Sequence, residues 1–237
     1  MSNAHNPIRL FETVVDDCPY LEGKKSASIL VDPDHLVDSN LFTMLSRSGF
    51  RRSGDMLYAP KCPDCNACVS VRIPTQRFQP SRSQKRVWNK NQDLTVTLED
   101  VRFDLAHFEL YLKYQRHRHP ESSMCDEDPD KYIGFIDSYF SKSKFLCFWA
   151  QDQLIGISVL DQFEGGISAV YTFFDPDQYK RSLGTYAILY MVKLCKIRDI
   201  PFVYLGYWID GSQKMDYKRK FKPLQGHIDR KWQELEL

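Results

Sequence analysis

The chemically most distinctive motif of the chain consists of three cysteines, Cys62, Cys65 and Cys68, with two residues between each and the next. The C-x2-C-x2-C spacing is ferredoxin-like, and the same thiols can supply three of the four ligands of a structural zinc site. Cys18 is the natural fourth ligand. Because the N-terminus has no apolar segment of the signal-peptide type, we do not expect a disulfide framework. Two possibilities stay open: a zinc or iron–sulfur site, or four reduced thiols.

A basic stretch free of acidic residues runs from Val69 to Gln92. Side chains of this kind contact nucleic-acid phosphates, and an aromatic residue among them can stack on a base. The residues that we expect to contact RNA are Arg82, Lys85, Arg86 and Trp88. The net charge of the chain is only +1, so these basic residues are concentrated in one segment, as expected for a protein that binds a polyanion. A surface that is simply exposed to solvent and binds nothing has the same pattern.

The segment Lys180–Tyr186 lies where a predicted strand passes into a predicted helix. The free N–H groups and the dipole of a helix start can bind a phosphate, and Arg181 would add a charged donor. We therefore predict that Arg181, Ser182 and Gly184 face the donor substrate. A plain helix N-cap explains Ser182 and Gly184 equally well.

Hydrophobic spacing predicts the elements that carry these residues. The predicted helices cover residues 38–48, about 81–91, 105–117, 132–139 and 182–198. The predicted strands cover residues 50–58 (as a hairpin), 68–74, 145–150, 154–160, 167–174 and 201–209. The order in the second half is that of an N-acetyltransferase-like (GNAT) fold. We thus predict a two-part mixed α/β protein with a mostly antiparallel sheet flanked by helices.

Three blocks are predicted along the chain. Residues 1–78 form a cysteine-containing block, 79–100 a basic connecting segment, and 101–237 a GNAT-like domain. We find no apolar run of the ~18–20 residues that a membrane helix needs, so we expect a cytoplasmic protein without a membrane partner.

Seven short stretches together resemble the arginyl/leucyl-tRNA–protein transferase family, in the family's order. They are Cys18–Tyr20, Gly49–Gly54, Arg77–Ser83, Tyr114-Gln115 with His119, Ser182–Tyr186, Tyr204–Ile209 and Lys214–Lys218. The resemblance implies aminoacyl-tRNA as donor and proteins with an acidic N-terminal residue as acceptor. The shortness of the chain is typical of the bacterial branch, which implies leucine transfer to N-terminal Asp or Glu and marking for N-degron degradation.

Relatives in this family also link a cysteine at the position of Cys18 to the later cysteine motif. Here Cys18 is followed by Pro19 and Tyr20 and lacks the second cysteine that the longer relatives carry. The resemblance therefore does not supply this chain with the full cysteine set of the longer relatives. A cluster, if bound, is expected to be structural or redox-sensing.

The chemistry requires an activated ester to meet a neutral amine, so most of the catalysis can come from positioning. The remainder is proton removal and stabilisation of an oxyanion. The candidate catalytic residues are Tyr207, Asp210, His119 and Gln115. The candidates for binding the acceptor are Arg51, Arg52 and Tyr217. Lys214 and Lys218 are further candidates for binding the aminoacyl-tRNA.

Three alternative functions remain open. An arginyl-tRNA–protein transferase would use the same fold with an acidic pocket for the donor side chain. A CoA-dependent N-acetyltransferase shares the phosphate-facing helix start. A non-catalytic RNA-binding protein with a zinc knuckle would need the cysteine motif to bind metal. DNA is not expected as a partner.

Overall fold

The computed structural model describes residues 7–118 and 127–236. Its helices are α1 (Ser39–Arg47), α2 (Arg82–Lys90), α3 (Leu105–Arg118), α4 (Pro129–Ile136) and α5 (Leu183–Ile197). Strands of the first half are β1 (Leu10–Glu12), β2 (Asp16–Asp17), β3 (Lys25–Ser26), β4 (Ser28–Val31), β5 (Arg51–Ser53), β6 (Met56–Pro60) and β7 (Cys68–Pro74). Those of the second half are β8 (Leu94–Asp100), β9 (Lys142–Ala150), β10 (Gln153–Phe163), β11 (Gly166–Phe174), β12 (Phe202–Ile209), β13 (Gln225–Ile228) and β14 (Lys231–Glu234).

Eight strands form one large sheet in the order β14-β13-β7-β12-β11-β10-β9-β8. Every neighbouring pair is antiparallel except β11 and β12, which are parallel because α5 connects them. Side chains alternate between two faces, so Leu146 and Phe148 pack in the core below α5 whereas Phe145 and Cys147 pack in the core below α3. The predicted mixed α/β architecture, with a mostly antiparallel sheet flanked by helices, is confirmed.

A smaller sheet in the order β1-β4-β6-β5 lies beside the large one. The hairpin between β5 and β6 turns at Gly54, which has φ +56° and whose N–H donates to the carbonyl of Phe135 in α4. A Cβ at Gly54 would lie 2.1 Å from the carbonyl oxygen of Gly134, so only glycine allows this contact. The first block also contributes β7 to the large sheet, so the predicted blocks share one sheet.

Local sequence signals fix several element boundaries. The Asp38 side chain accepts a hydrogen bond from Leu41 N and begins α1, and Ser81 forms a capping box with Gln84 at the start of α2. By contrast, α4 begins three residues before the predicted position, because Asp128 caps it and Pro129 occupies its first turn. Strands β1 to β4, β8, β13 and β14 were not predicted. Among the described residues, no helix is both long and apolar enough to cross a bilayer.

A buried ion pair joins the small sheet to the large one. Arg52 on β5 donates through Nε and Nη2 to the carboxylate of Asp161 on β10, both at 2.7 Å. Its side chain is 2% exposed and that of Asp161 is 1% exposed. The same guanidinium donates to the Ile136 carbonyl and to Ser143 Oγ. The prediction that Arg52 binds the acceptor is therefore corrected, because its donors are used inside the core.

Candidate active site

Strands β11 and β12 separate partway along their length. Among the described residues their ladder pairs only Gly166, Ile167 and Ser168 of β11 with Phe202, Val203 and Tyr204 of β12. A register shift of β12 against β7 follows between Tyr204 and Gly206, and Gly206 has φ +75°. The strands thus open a wedge toward the carboxyl end of β11, which leads into α5. The backbone of β11 beyond Ser168 can here contact side chains from other elements.

Arg51 occupies this wedge. Its Nη1 donates to Ser168 Oγ and its Nη2 donates to the Ala169 carbonyl, so both groups on β11 hold the guanidinium in place. Its Nε lies 3.2 Å from the position that a Cβ on Gly206 would take, which explains the glycine there. In the described part of the chain, no carboxylate forms an ion pair with Arg51. A half-buried guanidinium with unused donors suits a carboxylate ligand.

Lys218 is buried close to Arg51. The residue is 4% exposed, and its Nζ donates to the Tyr207 carbonyl and lies 3.4 Å from Met215 Sδ. Burial and the positive charge of Arg51 lower the pKa of Lys218 to about 7. The prediction that Lys218 contacts tRNA phosphates is corrected, because a buried amine presents no surface to a phosphate.

The stability of the protein is expected to depend on the titration of Lys218. In the unfolded chain the lysine keeps its proton up to its ordinary pKa, whereas the folded protein releases it near pH 7. The unfolded state therefore binds more protons in this window, and the free energy of unfolding rises with pH by up to about 1.4 kcal/mol per unit. Urea unfolding of the wild type and Lys218→Met at about pH 6 and about pH 9 would measure this. The advantage of the wild type over the variant should grow with pH, and an advantage independent of pH would contradict the assignment.

Tyr217 precedes Lys218 and faces the same region. Burial around its hydroxyl raises the pKa of Tyr217 to about 12, with Arg51 opposing the rise and Tyr114 adding to it. Because this pKa is far above neutral, the phenol stays protonated and can donate a hydrogen bond. The residue as a whole is 43% exposed, at the border of the wedge. This placement fits the predicted contact between Tyr217 and the acceptor, which remains a prediction.

Gln115 lies at 0% exposure on the last turns of α3 and donates through Nε2 to the Tyr171 hydroxyl on β11, at 3.1 Å. Its Oε1 is buried without a hydrogen-bond partner. The adjacent Tyr114 packs its ring 6.4 Å from that of Tyr171 and 5.1 Å from that of Phe174. A buried amide oxygen without a partner is costly, so this position suits an N–H donor from a ligand. His119, the other predicted catalytic residue of this helix, lies outside the described residues.

Tyr207 connects β12 to the small sheet. Its hydroxyl lies 2.9 Å from the Gly49 carbonyl and 3.3 Å from the Tyr58 carbonyl, and its single proton is shared between them. Burial raises the pKa of Tyr207 well above its usual range. This geometry gives Tyr207 a positioning role and leaves it no free proton for an oxyanion. Asp210 is exposed just after β12, and Lys214 is exposed in the turn that follows.

The start of α5 differs in part from the predicted phosphate site. Arg181 pairs bidentately with Asp93, at 2.9 and 2.8 Å, so a phosphate would have to compete with this carboxylate. Ser182 takes the left-handed conformation, with φ +55°, and its side chain does not cap the helix. At Gly184 an added Cβ would meet open space. An open depression of about 560 Å³ adjoins this turn, and it is lined by Asn89, Lys90, Asp93, Asp177, Gln178, Lys180 and Arg181.

Helix α2 presents an exposed basic face. Arg82, Lys85 and Arg86 are all exposed, and within the described ranges none of them forms an ion pair. Gln84 on the opposite side is buried and donates to the Lys220 carbonyl, which fixes the rotation of the helix. Trp88 packs against Tyr186 and Tyr190 at ring distances of 5.4 and 6.1 Å, so much of its ring is used between α2 and α5.

The four cysteines of the predicted metal site lie near one another. Cys62 and Cys65 form an isolated β-bridge, and all four thiols are half-buried. Burial and then the neighbouring Cys62, Cys18 and Cys65 raise the pKa of Cys68 to about 11. Four thiols suit zinc or an iron–sulfur cluster in kind and number. Within residues 7–118 and 127–236, however, no three of these cysteines have their sulfur atoms within 4.8 Å of one another. The one group of three possible metal ligands that close together in these ranges is Glu99, His107 and Cys147.

Several residues of the wedge were not predicted. Ser168 and Tyr171 look in the sequence like ordinary members of an alternating strand. Gly206 carried a usable signal, because an isolated glycine within an aromatic strand often marks a close approach of another group.

A parallel strand pair that separates beside a helix start, with a cation in the gap, is an arrangement suited to acyl transfer. The chain matches two family models, the arginine-tRNA-protein transferase N terminus over residues 16–86 and the C terminus over residues 106–228. It therefore belongs to the aminoacyl-tRNA–protein transferase family, and the predicted enzyme class is confirmed.

Two relatives are similar over nearly their whole length, and both are named aspartate/glutamate leucyltransferase. The protein from Hahella chejuensis is 41% identical, over 98% of this chain and 99% of its own. The protein from Saccharophagus degradans is 42% identical, over 96% of this chain and 97% of its own. Among solved structures, L-PGS from Bacillus licheniformis is similar over 68% of this chain and 58% of its own, with 11% identity and a TM-score of 0.49. A likeness at this TM-score supports no argument about function.

Proposed function

We propose that this protein transfers leucine from Leu-tRNA to the N-terminal amine of proteins that begin with Asp or Glu, in the cytoplasm, and so marks them for N-degron degradation. The observation that carries the acceptor assignment is the half-buried guanidinium of Arg51 in the wedge, which has no ion-pair partner among the described residues. An acidic side chain would supply the missing negative charge in a bidentate pair. The names of the relatives support leucine as the transferred amino acid.

The transfer forms a C–N bond between the acceptor amine and the leucyl carbonyl carbon, and it breaks the ester C–O bond to the terminal ribose. The amine loses a proton and the ribose oxygen gains one. In this proposal Gln115 Oε1 accepts a hydrogen bond from the amine and orients it, and the proton that the amine loses passes to the leaving ribose oxygen. Holding both reactants in the wedge supplies most of the acceleration.

Transfer assays with purified protein test the proposal. The donors are labelled Leu-tRNA and Arg-tRNA, and the acceptors are peptides that differ only in an N-terminal Asp, Glu or Asn. We expect leucine transfer to the Asp and Glu peptides and little to the Asn peptide, which is nearly isosteric with Asp but uncharged. Transfer of arginine alone would overturn the donor assignment. Activity with acetyl-CoA and no charged tRNA would overturn the function.

The basic face of α2 is proposed to hold the tRNA. Replacing Arg82, Lys85 and Arg86 together by alanine should weaken Leu-tRNA binding and reduce the slope of log affinity against log salt by about 2–3. The Michaelis constant for Leu-tRNA should rise while the turnover number changes little. Filter binding at several salt concentrations measures the slope. The matched control replaces the exposed residues Lys24, Lys142 and Lys231 by alanine, with the same loss of charge. Equal slopes in both triple variants would contradict the proposal.

Metal analysis separates the two possibilities for the cysteine cluster. If the cluster binds zinc or iron, the double variant Cys62→Ser/Cys65→Ser should lose that metal from purified protein. If the thiols are simply reduced, the metal content should not change. Elemental analysis under anaerobic purification measures both, and the assays above show whether the variant retains transfer activity.

A further inference from the structure

A second group of metal-ligating side chains lies away from the wedge, where α3 begins. Glu99 is on β8, Cys147 is on the neighbouring strand β9, and His107 is on the first turns of α3. The possible ligand atoms, one from each residue, all lie within 4.8 Å of one another. His107 and Cys147 are buried, whereas Glu99 is half-buried near the edge of the sheet. The three residues come from three different elements, so the fold itself brings them together.

One buried polar atom of this group has no hydrogen-bond partner among the described residues. The Thr97 hydroxyl donates a hydrogen bond to the Glu99 carboxylate, and the Cys147 thiol lies beside the same carboxylate. His107 is 3% exposed, and its Nδ1 is buried without any hydrogen-bond partner. A buried imidazole nitrogen without a hydrogen-bond partner is destabilising. A bound ion at this group would give the buried imidazole ring a polar partner.

We propose that Glu99, His107 and Cys147 bind one divalent transition-metal ion of the zinc type. A thiolate, an imidazole and a carboxylate are the three ligand classes that zinc prefers. At ordinary zinc–ligand distances the ligand atoms would stand roughly 3.3–3.7 Å apart, which small side-chain rotations can reach from the present spacing. The half-buried side of Glu99 leaves access for a water as fourth ligand.

The charge balance favours such an ion in a buried place. Binding would displace the proton of the Cys147 thiol, so that a thiolate and a carboxylate together neutralise the two positive charges of the metal. The net charge of the occupied group would be zero, which limits the cost of burial. The neutral imidazole is the form of histidine that coordinates metals.

The ion would act as a structural link and not as a catalyst. It would join β8, the edge strand of the large sheet, to β9 and to the beginning of α3. Tyr114 and Gln115 lie toward the other end of the same helix, beside the wedge. The proposed ion thus anchors the helix whose far end contributes to the active site, and its existence does not depend on which amino acid the enzyme transfers.

Metal content and stability of the full-length protein test the proposal. The variants are Glu99→Gln, His107→Leu and Cys147→Ala, and the matched control is Cys195→Ala, a buried cysteine in the core on the opposite face. All are made in the Cys62→Ser/Cys65→Ser background, so that the cysteine cluster does not contribute. After incubation with zinc and removal of excess metal, we expect about one equivalent in the parent and the control and a loss of it in each of the three variants.

Cobalt(II) gives a second readout that a purely structural effect would not produce. The cobalt-loaded parent should show a thiolate-to-cobalt charge-transfer band, which Cys147→Ala should lose and Cys195→Ala should keep. A chelator should lower the melting temperature of the parent but not that of Glu99→Gln, the mildest change. If parent and variants bind the same amount of metal, or the parent binds none, the group is a hydrogen-bonded polar cluster and the proposal is wrong.

Discussion

Replacing Arg51 by lysine or alanine is expected to lower kcat/KM for a peptide with N-terminal Asp by about 10²–10³-fold, which corresponds to roughly 3–4 kcal/mol. The reason is geometric as well as electrostatic. Arg51 is held by Ser168 and the Ala169 carbonyl, so its remaining donors point in fixed directions. Lysine keeps the charge but cannot form the bidentate pair, so even this conservative change should fail.

The acceptor series distinguishes this role from a general loss of folding. In the wild type the Asp peptide should be strongly preferred over the Asn peptide, and in Arg51→Ala the preference should largely disappear because both acceptors then lack the partner. Arg47→Ala is the matched control, since Arg47 is an exposed arginine at the end of α1 in the same block. A preference for Asp that survives in Arg51→Ala would show that another group binds the carboxylate.

Breaking the ion pair between Arg52 and Asp161 is expected to cost about 3–5 kcal/mol of folding free energy. Either Asp161→Asn or Arg52→Met would leave a buried polar or charged group without its partner, in a position that is almost completely excluded from solvent. Because the same guanidinium also holds the Ile136 carbonyl, its loss would loosen the contact between the small sheet and α4. Equilibrium unfolding in urea measures the effect.

A surface pair provides the comparison. Arg181 and Asp93 also form a bidentate pair, but Asp93 is exposed, so Arg181→Ala should cost only about 1 kcal/mol or less. The double variant Arg52→Met/Asp161→Leu should lose less stability than the sum of the single variants Arg52→Met and Asp161→Leu, since removing both partners leaves no buried charge. Equal losses for the buried and the exposed pair would contradict this account.

Local patterns predicted most of the elements because their causes are local. The hairpin around Gly54, the caps at Asp38 and Ser81, and the helix of residues 183–197 follow from turn chemistry, capping and periodicity within a few residues. The alternation in Leu94-Thr95-Val96-Thr97-Leu98 is a local signal of the same kind for β8, which was not among the predicted strands. Strands β13 and β14 are four residues each, too short for the alternation to stand out.

The sequence by itself determined the family, the order of the elements and the residue types that the chemistry requires, since these depend on short motifs and near neighbours. Only the tertiary structure decided what adjacent residues do. Arg51 and Arg52 project to opposite sides of β5, and Arg52 is buried because Asp161, 109 residues away, meets it there. The same holds for Lys218, whose amine donates to the Tyr207 carbonyl on β12 and whose pKa is lowered by burial and by Arg51. Burial and charge pairing are set by residues distant in the chain, so no local pattern could have assigned these roles.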